Sequence, residues 1–176
     1  MENATDIQYL KEVYTRSTNK YKPRQIKTLL IGEAPPCNLD RFFYFEEVKV
    51  QDSLFLEIVG VLYPDKKQRY LKAGRPAEGK AELLEMFAED GYLLIDLYEV
   101  PVDTCTDEEA VASLLTRLEK LIDKTIPIVL IKTNVFDLCY PVLKANGYNV
   151  SNERLPFPGS GQQKVFREKF AGIVNA

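Results

Sequence analysis

Residues Lys27–Phe45, KTLLIGEAPPCNLDRFFYF, decide how the rest of the chain is read. Lys27–Ile31 is a short apolar run of the length expected for a buried strand. Gly32 lets the chain turn, and Glu33 then places a carboxylate at the strand's end. Pro35 and Pro36 fix the following backbone and stiffen the loop. A rigid loop with one carboxylate suits a general base that positions a water, although it reads equally well as a plain strand-to-helix turn. Phe42, Phe43, Tyr44 and Phe45 follow. Four rings in a row cannot all face a core, so one ring is expected to be open for stacking on a flat ligand. The competing reading is an aromatic core segment.

Outward from this stretch, three further apolar runs read as strands: Tyr92–Asp96, Ile128–Ile131 and a weaker one at Tyr148–Val150. Helical periodicity fills the intervals. Helices are predicted over Thr5–Tyr14, Asp52–Leu62, Lys80–Ala88, Asp107–Asp123 and Gln162–Ile173. Another starts near Asn134, is bent by Pro141 and is stopped by Gly147. Thr106 and Glu109 have the spacing of a capping box, and Gly91 reads as a C-terminal helix stop. Strands alternating with helices imply right-handed crossovers. The expected fold is α/β, a three-layer α/β/α sandwich with a central, mainly parallel four-stranded sheet, in a single domain over residues 1–176.

Ligands of such sheets bind beyond the carboxyl ends of the strands. That rule selects the loops Gly32–Asp40, Leu97–Asp103, Lys132–Asn134 and Leu155–Gln163. Asp96 ends an apolar strand, where a carboxylate is costly unless it is paired, caps an amide or faces the crevice. Lys132 faces an anion or reaches solvent, and Asn134 reads as a helix cap. In LPFPGSGQQKVF, amides at Gly159, Ser160 and Gly161 could hold a phosphate before a basic helix, supported by Lys164 and Arg167. A proline-shaped turn with solvated cations is the other reading.

Composition narrows the chemistry. The 176 residues contain no histidine, which removes Ser-His, Cys-His and histidine–metal mechanisms. Cys37, Cys105 and Cys139 are scattered and read as reduced thiols, too few for a four-cysteine cluster. No metal or other cofactor is expected. The net charge of −3 gives no global field for nucleic acid, leaving only a local patch around Lys164, Arg167 and Lys169. No apolar run spans a bilayer and no signal segment opens the chain, so a cytoplasmic protein without a membrane partner is expected.

In order, LLIGEAPP, the aromatic run, YLLIDLYEVPV and LPFPGSGQQKVFREKF resemble the motifs of the uracil-DNA glycosylase superfamily along almost the whole chain. The resemblance implies that Glu33 activates water in the Gly-(Glu/Gln)-x-Pro loop shared with Pro35 and Pro36. Phe42, Phe43 or Tyr44 would stack on an extruded base. Asp96 would stand at the base-reading asparagine, and Phe157, Pro158, Gly159, Ser160, Gly161 and Lys164 would form the loop and helix pressed against DNA. Two departures alter the expected chemistry. Phe157 falls where the family has a histidine and offers no donor to a departing base, a loss of about 2–4 kcal/mol of barrier lowering. Asp96, if ionised, only accepts hydrogen bonds, so it repels uracil O4 and prefers an edge bearing an amino group.

The expectation is hydrolysis of an N-glycosidic bond of a flipped-out base in single- or double-stranded DNA. Two alternatives stand beside it. One is an inactive module that binds a nucleobase-containing ligand or nucleic acid, and the other is a protein-interaction domain using the aromatic segment.

Overall fold

The computed structural model describes residues 4–36, 39–50, 52–100 and 105–176. Cys37, and with it part of the first loop, lies outside the described residues, as do positions 101–103 of the second loop. The organising element is strand β1, Thr28–Gly32. Leu29, Leu30 and Ile31 are consecutive and all fully buried. Since neighbouring strand residues point to opposite faces, both faces of the sheet are covered. Strand β2, Tyr92–Asp96, pairs with β1 in parallel, with Leu30 opposite Leu94 and Gly32 opposite Asp96. Strand β3, Ile128–Leu130, pairs in parallel on the other side, giving the order β2-β1-β3.

The α/β class and the parallel sheet agree with the sequence pattern; the fourth strand does not form. Val150 meets Ile128 and Leu155 meets Ile131 only as isolated parallel bridges. Hydrogen bonds from Ile128 N to Asn149 O, 2.8 Å, and from Ser151 N to Ile128 O, 2.9 Å, begin a ladder. The exposed polar residues Asn152, Glu153 and Arg154 then separate the two bridges. They have no apolar face to lay on the core, so pairing does not propagate.

Helix α1 spans Ala4–Lys20, one and a half turns beyond the amphipathic stretch that announces it. Helices α2, Ser53–Leu62, and α3, Pro64–Lys72, follow in close succession. Helix α3 carries little apolar periodicity, because PDKKQRYLK buries one side chain, Tyr70. Helix α4, Ala77–Glu89, packs against β2 and ends before Gly91, whose φ of 83° suits a left-handed stop. Helix α5, Asp107–Leu121, starts with the expected capping box between Thr106 and Glu109. Helix α6, Thr133–Ala145, contains Pro141 and packs on β3 and α5. Helix α7, Gln163–Val174, buries Phe166 and Phe170 and lies against α2.

Three of the four rings of the aromatic segment are core, and Phe45 is partly buried against it. Phe42, Phe43 and Tyr44 are all buried, and Phe43 packs edge-on to Phe55 and against Phe87. A short 3-10 turn at Leu39–Arg41 redirects the chain before these rings, so successive side chains insert at different depths. Tyr44 is fully enclosed, and its hydroxyl both accepts from Leu94 N, 2.8 Å, and donates to Leu94 O, 3.0 Å. Leu94 turns these two groups away from β1, on the side where the sheet has no further strand. One phenol therefore closes the free edge at its centre, which explains a tyrosine among phenylalanines.

Replacing Tyr44 with phenylalanine leaves both Leu94 groups buried without partners. The expected loss is about 1–3 kcal/mol in urea unfolding, with an unchanged m-value. A loss below about 0.5 kcal/mol, the level of an ordinary surface change, would show that the edge is satisfied in another way.

Candidate functional site

The carboxyl ends of all three strands converge on one edge. β1 delivers Gly32 and Glu33, β2 delivers Asp96, and β3 leads into Lys132. Gly32 is not the turn residue that its position suggests. It lies within β1, and a Cβ added there would stand 2.7 Å from Asp96 Oδ1. The glycine makes room for the carboxylate beside it. Arg117 of α5 holds the backbone at this point, donating from Nη1 to Asp96 O at 2.9 Å and from Nη2 to Leu97 O at 2.7 Å.

Asp96 lines a pocket of about 460 Å³ together with Pro35, Pro36, Phe42, Phe43, Phe157 and Ser160. Residues from the first and fourth loops thus meet the end of the second strand in one cavity. Arg41, Asp52, Ser53, Leu54, Phe55, Leu94 and Ala34 complete its wall. A smaller adjoining cavity of about 150 Å³ shares Asp96, Pro35, Phe42 and Leu94 and extends toward Thr18, Asn19 and Arg117. The larger space matches the range of small-molecule sites, apolar walls with a few convergent polar groups.

Burial pushes the Asp96 carboxyl up to about 7; the Arg117 charge opposes the shift and the Glu33 charge adds to it. Among the described residues no amide caps it and no hydrogen bond contributes to its state. Near neutrality it therefore exists in two forms. The ionised form accepts from two donors, whereas the protonated form offers one donor and one acceptor, as an asparagine amide does.

Glu33 has the opposite environment. Desolvation raises its carboxyl, but hydrogen bonds from Lys132 and Asn134 outweigh this and leave it lowered. Lys132 Nζ lies 2.6 Å from Glu33 Oε1, and Asn134 Nδ2 donates to Oε2. Asn134 is consequently not the cap of α6; Lys132 occupies the N-cap position without a side-chain capping bond. The φ of 86° at Lys132 is unusual for a residue with a side chain and costs about 1–3 kcal/mol. That conformation accompanies the side chain's reach across to Glu33. Glu33 itself does not line the larger pocket, although its neighbour Ala34 does.

The fourth loop is only partly as expected. Phe157 is 44% exposed at the pocket and is its most open ring, beside the buried wall rings Phe42 and Phe43. Its ring packs over Gly159, where a Cβ would lie 3.2 Å from two ring carbons. Pro158 is buried, and the Gly159 amide donates to Phe157 O at 2.8 Å. This amide is therefore spent within the loop and does not serve a phosphate. Ser160 and Gly161 both have positive φ, 49° and 85°, and turn the chain into α7. The expected basic patch is neutralised: Lys164 faces Glu168, Arg167 binds Glu57 at 2.7 Å, and Lys169 faces Glu153.

Two wall residues carried no sequence signal. Asp52 precedes α2 but does not cap it; its carboxylate turns inward to Lys80 Nζ at 3.0 Å. Lys80 is fully buried, 4.4 Å above the Phe55 ring centre. Desolvation pushes Asp52 up and Lys80 down, against their mutual attraction. Arg41 is the other, with its Nε–H buried and lacking an acceptor. Among the described residues no group of three or more histidine, cysteine or acidic side chains could hold a metal ion, and no helix is long and apolar enough to cross a membrane. Cys105 and Cys139 are free thiols. Comparison with known protein families, curated proteins and solved structures finds no match to this chain.

The raised Asp96 pKa fixes a sign. Between its ordinary 3.8 and about 7, the folded state holds a proton that the unfolded state has lost. Stability from this group is full below that window and falls as pH rises through it. Asp96→Asn, which fits the same space beside Gly32, should gain on the order of 1–3 kcal/mol over wild type at pH 8 and almost nothing at pH 4. Parallel urea titrations of the two proteins measure the difference. A gain independent of pH would show that the carboxylate is not desolvated.

Proposed function

We propose that this protein is a divergent relative of the uracil-DNA glycosylases that binds a flipped-out nucleobase in the Asp96 pocket and hydrolyses its N-glycosidic bond. The observation that carries the reading is the convergence of Pro35 and Pro36, Asp96, and Phe157 with Ser160 on one aromatic-walled cavity. These residues come from three separate motifs of the resemblance, and nothing in their sequence spacing requires them to share a space. Pocket walls from Phe42, Phe43 and Phe157 suit a flat heterocycle.

In this reaction water adds to the sugar C1′ as the C1′–N bond breaks. The base leaves with the bonding electrons and takes up a proton, while the attacking water gives one up. Positive charge develops on the sugar in the transition state. Glu33, held ionised by Lys132 and Asn134, is suited to orient the water and stabilise that charge. Its lowered pKa makes it a weak proton acceptor, so positioning dominates over proton abstraction. Asp96 reads the base edge, and Phe157 covers the base without donating to it.

The paired cations on α7 favour a second reading, a module that binds a nucleobase without catalysis. They supply little net charge for a phosphodiester backbone. The interaction-domain reading is the less favoured, because three of the four rings on which it rests are buried.

The deciding experiment incubates wild type, Glu33→Gln and Asp96→Asn with single- and double-stranded oligonucleotides bearing uracil, hypoxanthine, xanthine, guanine or cytosine. Alkaline cleavage then reveals abasic sites. Abasic product from wild type, reduced about 100-fold or more by Glu33→Gln with binding retained, is the expected result. Binding without product in any protein would leave the module reading. Neither cleavage nor binding of any base would remove both.

A further inference from the structure

Arg41 is left unexplained by the fold. It closes the 3-10 turn at Leu39–Arg41 and lies in the wall of the Asp96 pocket. Its Nε–H is buried and reaches no acceptor among the described residues. Native folds seldom leave such a donor unmatched, and a guanidinium presents its N–H groups as a rigid planar fork. Asp96, in the same wall, is the complementary case, a carboxyl that accepts from no described donor. The second carboxylate there, Asp52, is already engaged by Lys80 at 3.0 Å. The pocket wall therefore contains a guanidinium and a carboxyl, neither of which hydrogen-bonds through its side chain to a described residue, between aromatic walls.

Few heterocycles match that combination. Guanine carries adjacent acceptors, O6 and N7, on one edge and adjacent donors, N1–H and the 2-amino group, on the next. Adenine has no edge with two neighbouring N–H groups for a carboxylate to accept. Cytosine places acceptors directly beside its amino group, and uracil flanks its single N–H with carbonyl oxygens. Each would set an acceptor against an ionised carboxylate.

We propose that the pocket is selective for a 2-amino-6-oxopurine, with Arg41 donating to the O6/N7 edge and Asp96 accepting from N1–H and the 2-amino group. The assignment rests on the reading of this cavity as a nucleobase site and adds a base class and a specificity residue to it. Phe157 and Phe43 supply ring contact but no discrimination among bases. Arg41 and Asp96 supply the discrimination, since a bidentate polar contact left unmatched is penalised far more than a lost stacking contact.

Calorimetric titration at pH 8 of the full chain with guanosine, inosine, adenosine, cytidine and uridine, and with their 5′-monophosphates, tests this. Guanosine should bind at least about tenfold more tightly than adenosine, cytidine or uridine. Inosine, which lacks the 2-amino group, should be weakened about tenfold relative to guanosine. Arg41→Gln should lose about tenfold for guanosine. Arg41→Lys, which keeps charge without the fork, should fall between the two. Asp96→Asn should abolish the preference for guanosine over inosine. The wild-type ranking of nucleosides stands as a test even where a variant fails to fold. Tightest binding of another nucleoside, sensitive to Asp96→Asn, would overturn the purine assignment while leaving a nucleobase site. Equal weakening of all monophosphates by Arg41→Gln, with nucleosides unaffected, would assign Arg41 to phosphate and also overturn it. Absence of binding by every nucleoside and nucleotide would overturn both the assignment and the reading beneath it.

Discussion

Asp96 stands opposite Gly32 in the β1–β2 register, and the site depends on the missing side chain between them. A carboxylate at the end of a buried strand needs space, and any Cβ at position 32 would occupy it. It also needs the strand end to be fixed, which Arg117 does through the carbonyls of Asp96 and Leu97 rather than through the carboxylate. The arrangement leaves the acid desolvated and its oxygens uncommitted. A direct Arg117–carboxylate pair would have consumed them. The core thus supports the acid from behind and presents it to the pocket.

From that geometry follows a division between the two acids at the sheet edge. Glu33 and Asp96 stand at the ends of adjacent strands, and the Glu33 charge helps raise Asp96. Lys132 and Asn134 hold Glu33 in the ionised state. Neighbouring carboxyls whose environments drive their pKa values apart are a recurring basis for distinct chemical roles. Here the ordinary neutral-pH state is one fixed anion and one acid close to its midpoint. The strained backbone at Lys132 belongs to this arrangement, because relaxing it would move the cation that keeps Glu33 lowered.

Much of the framework was legible in the sequence. Alternating apolar runs and amphipathic stretches located all three strands and most helices, because those segments bury one clear face or two. The pairing of Thr106 with Glu109 was readable for the same local reason. Failures occurred where tertiary contacts decided the outcome. Tyr148–Val150 looked like a strand, but Val150 forms only an isolated bridge, since the polar residues 152–154 keep the pairing from continuing to the next bridge at Leu155. The run Phe42–Phe45 looked too crowded to bury whole; the 3-10 turn before it and the sheet edge at Leu94 place Phe42, Phe43 and Tyr44 in the core and leave Phe45 partly buried. Within the site, sequence order indicated Asp96, Pro35, Pro36, Phe157 and Ser160. It could not reveal Arg41 or Asp52, whose significance lies in an unmatched donor and a buried partner 28 positions away.

The same contrast bears on what kind of recognition this protein can perform. The cations of α7 looked available along the sequence, but Glu57, Glu153 and Glu168 approach them in space. Affinity arising from phosphate neutralisation would require those ion pairs to be exchanged, with little net electrostatic gain. Arg41 and Asp96, whose side chains hydrogen-bond to no described residue, instead line the aromatic-walled cavity. On the proposed reading, discrimination falls on the ring edges of the base, where a donor or acceptor that gives up water without a protein partner is penalised. On that reading, paired cations outside and edge-reading groups inside favour selectivity over general nucleic-acid affinity, with or without cleavage of the base from its sugar.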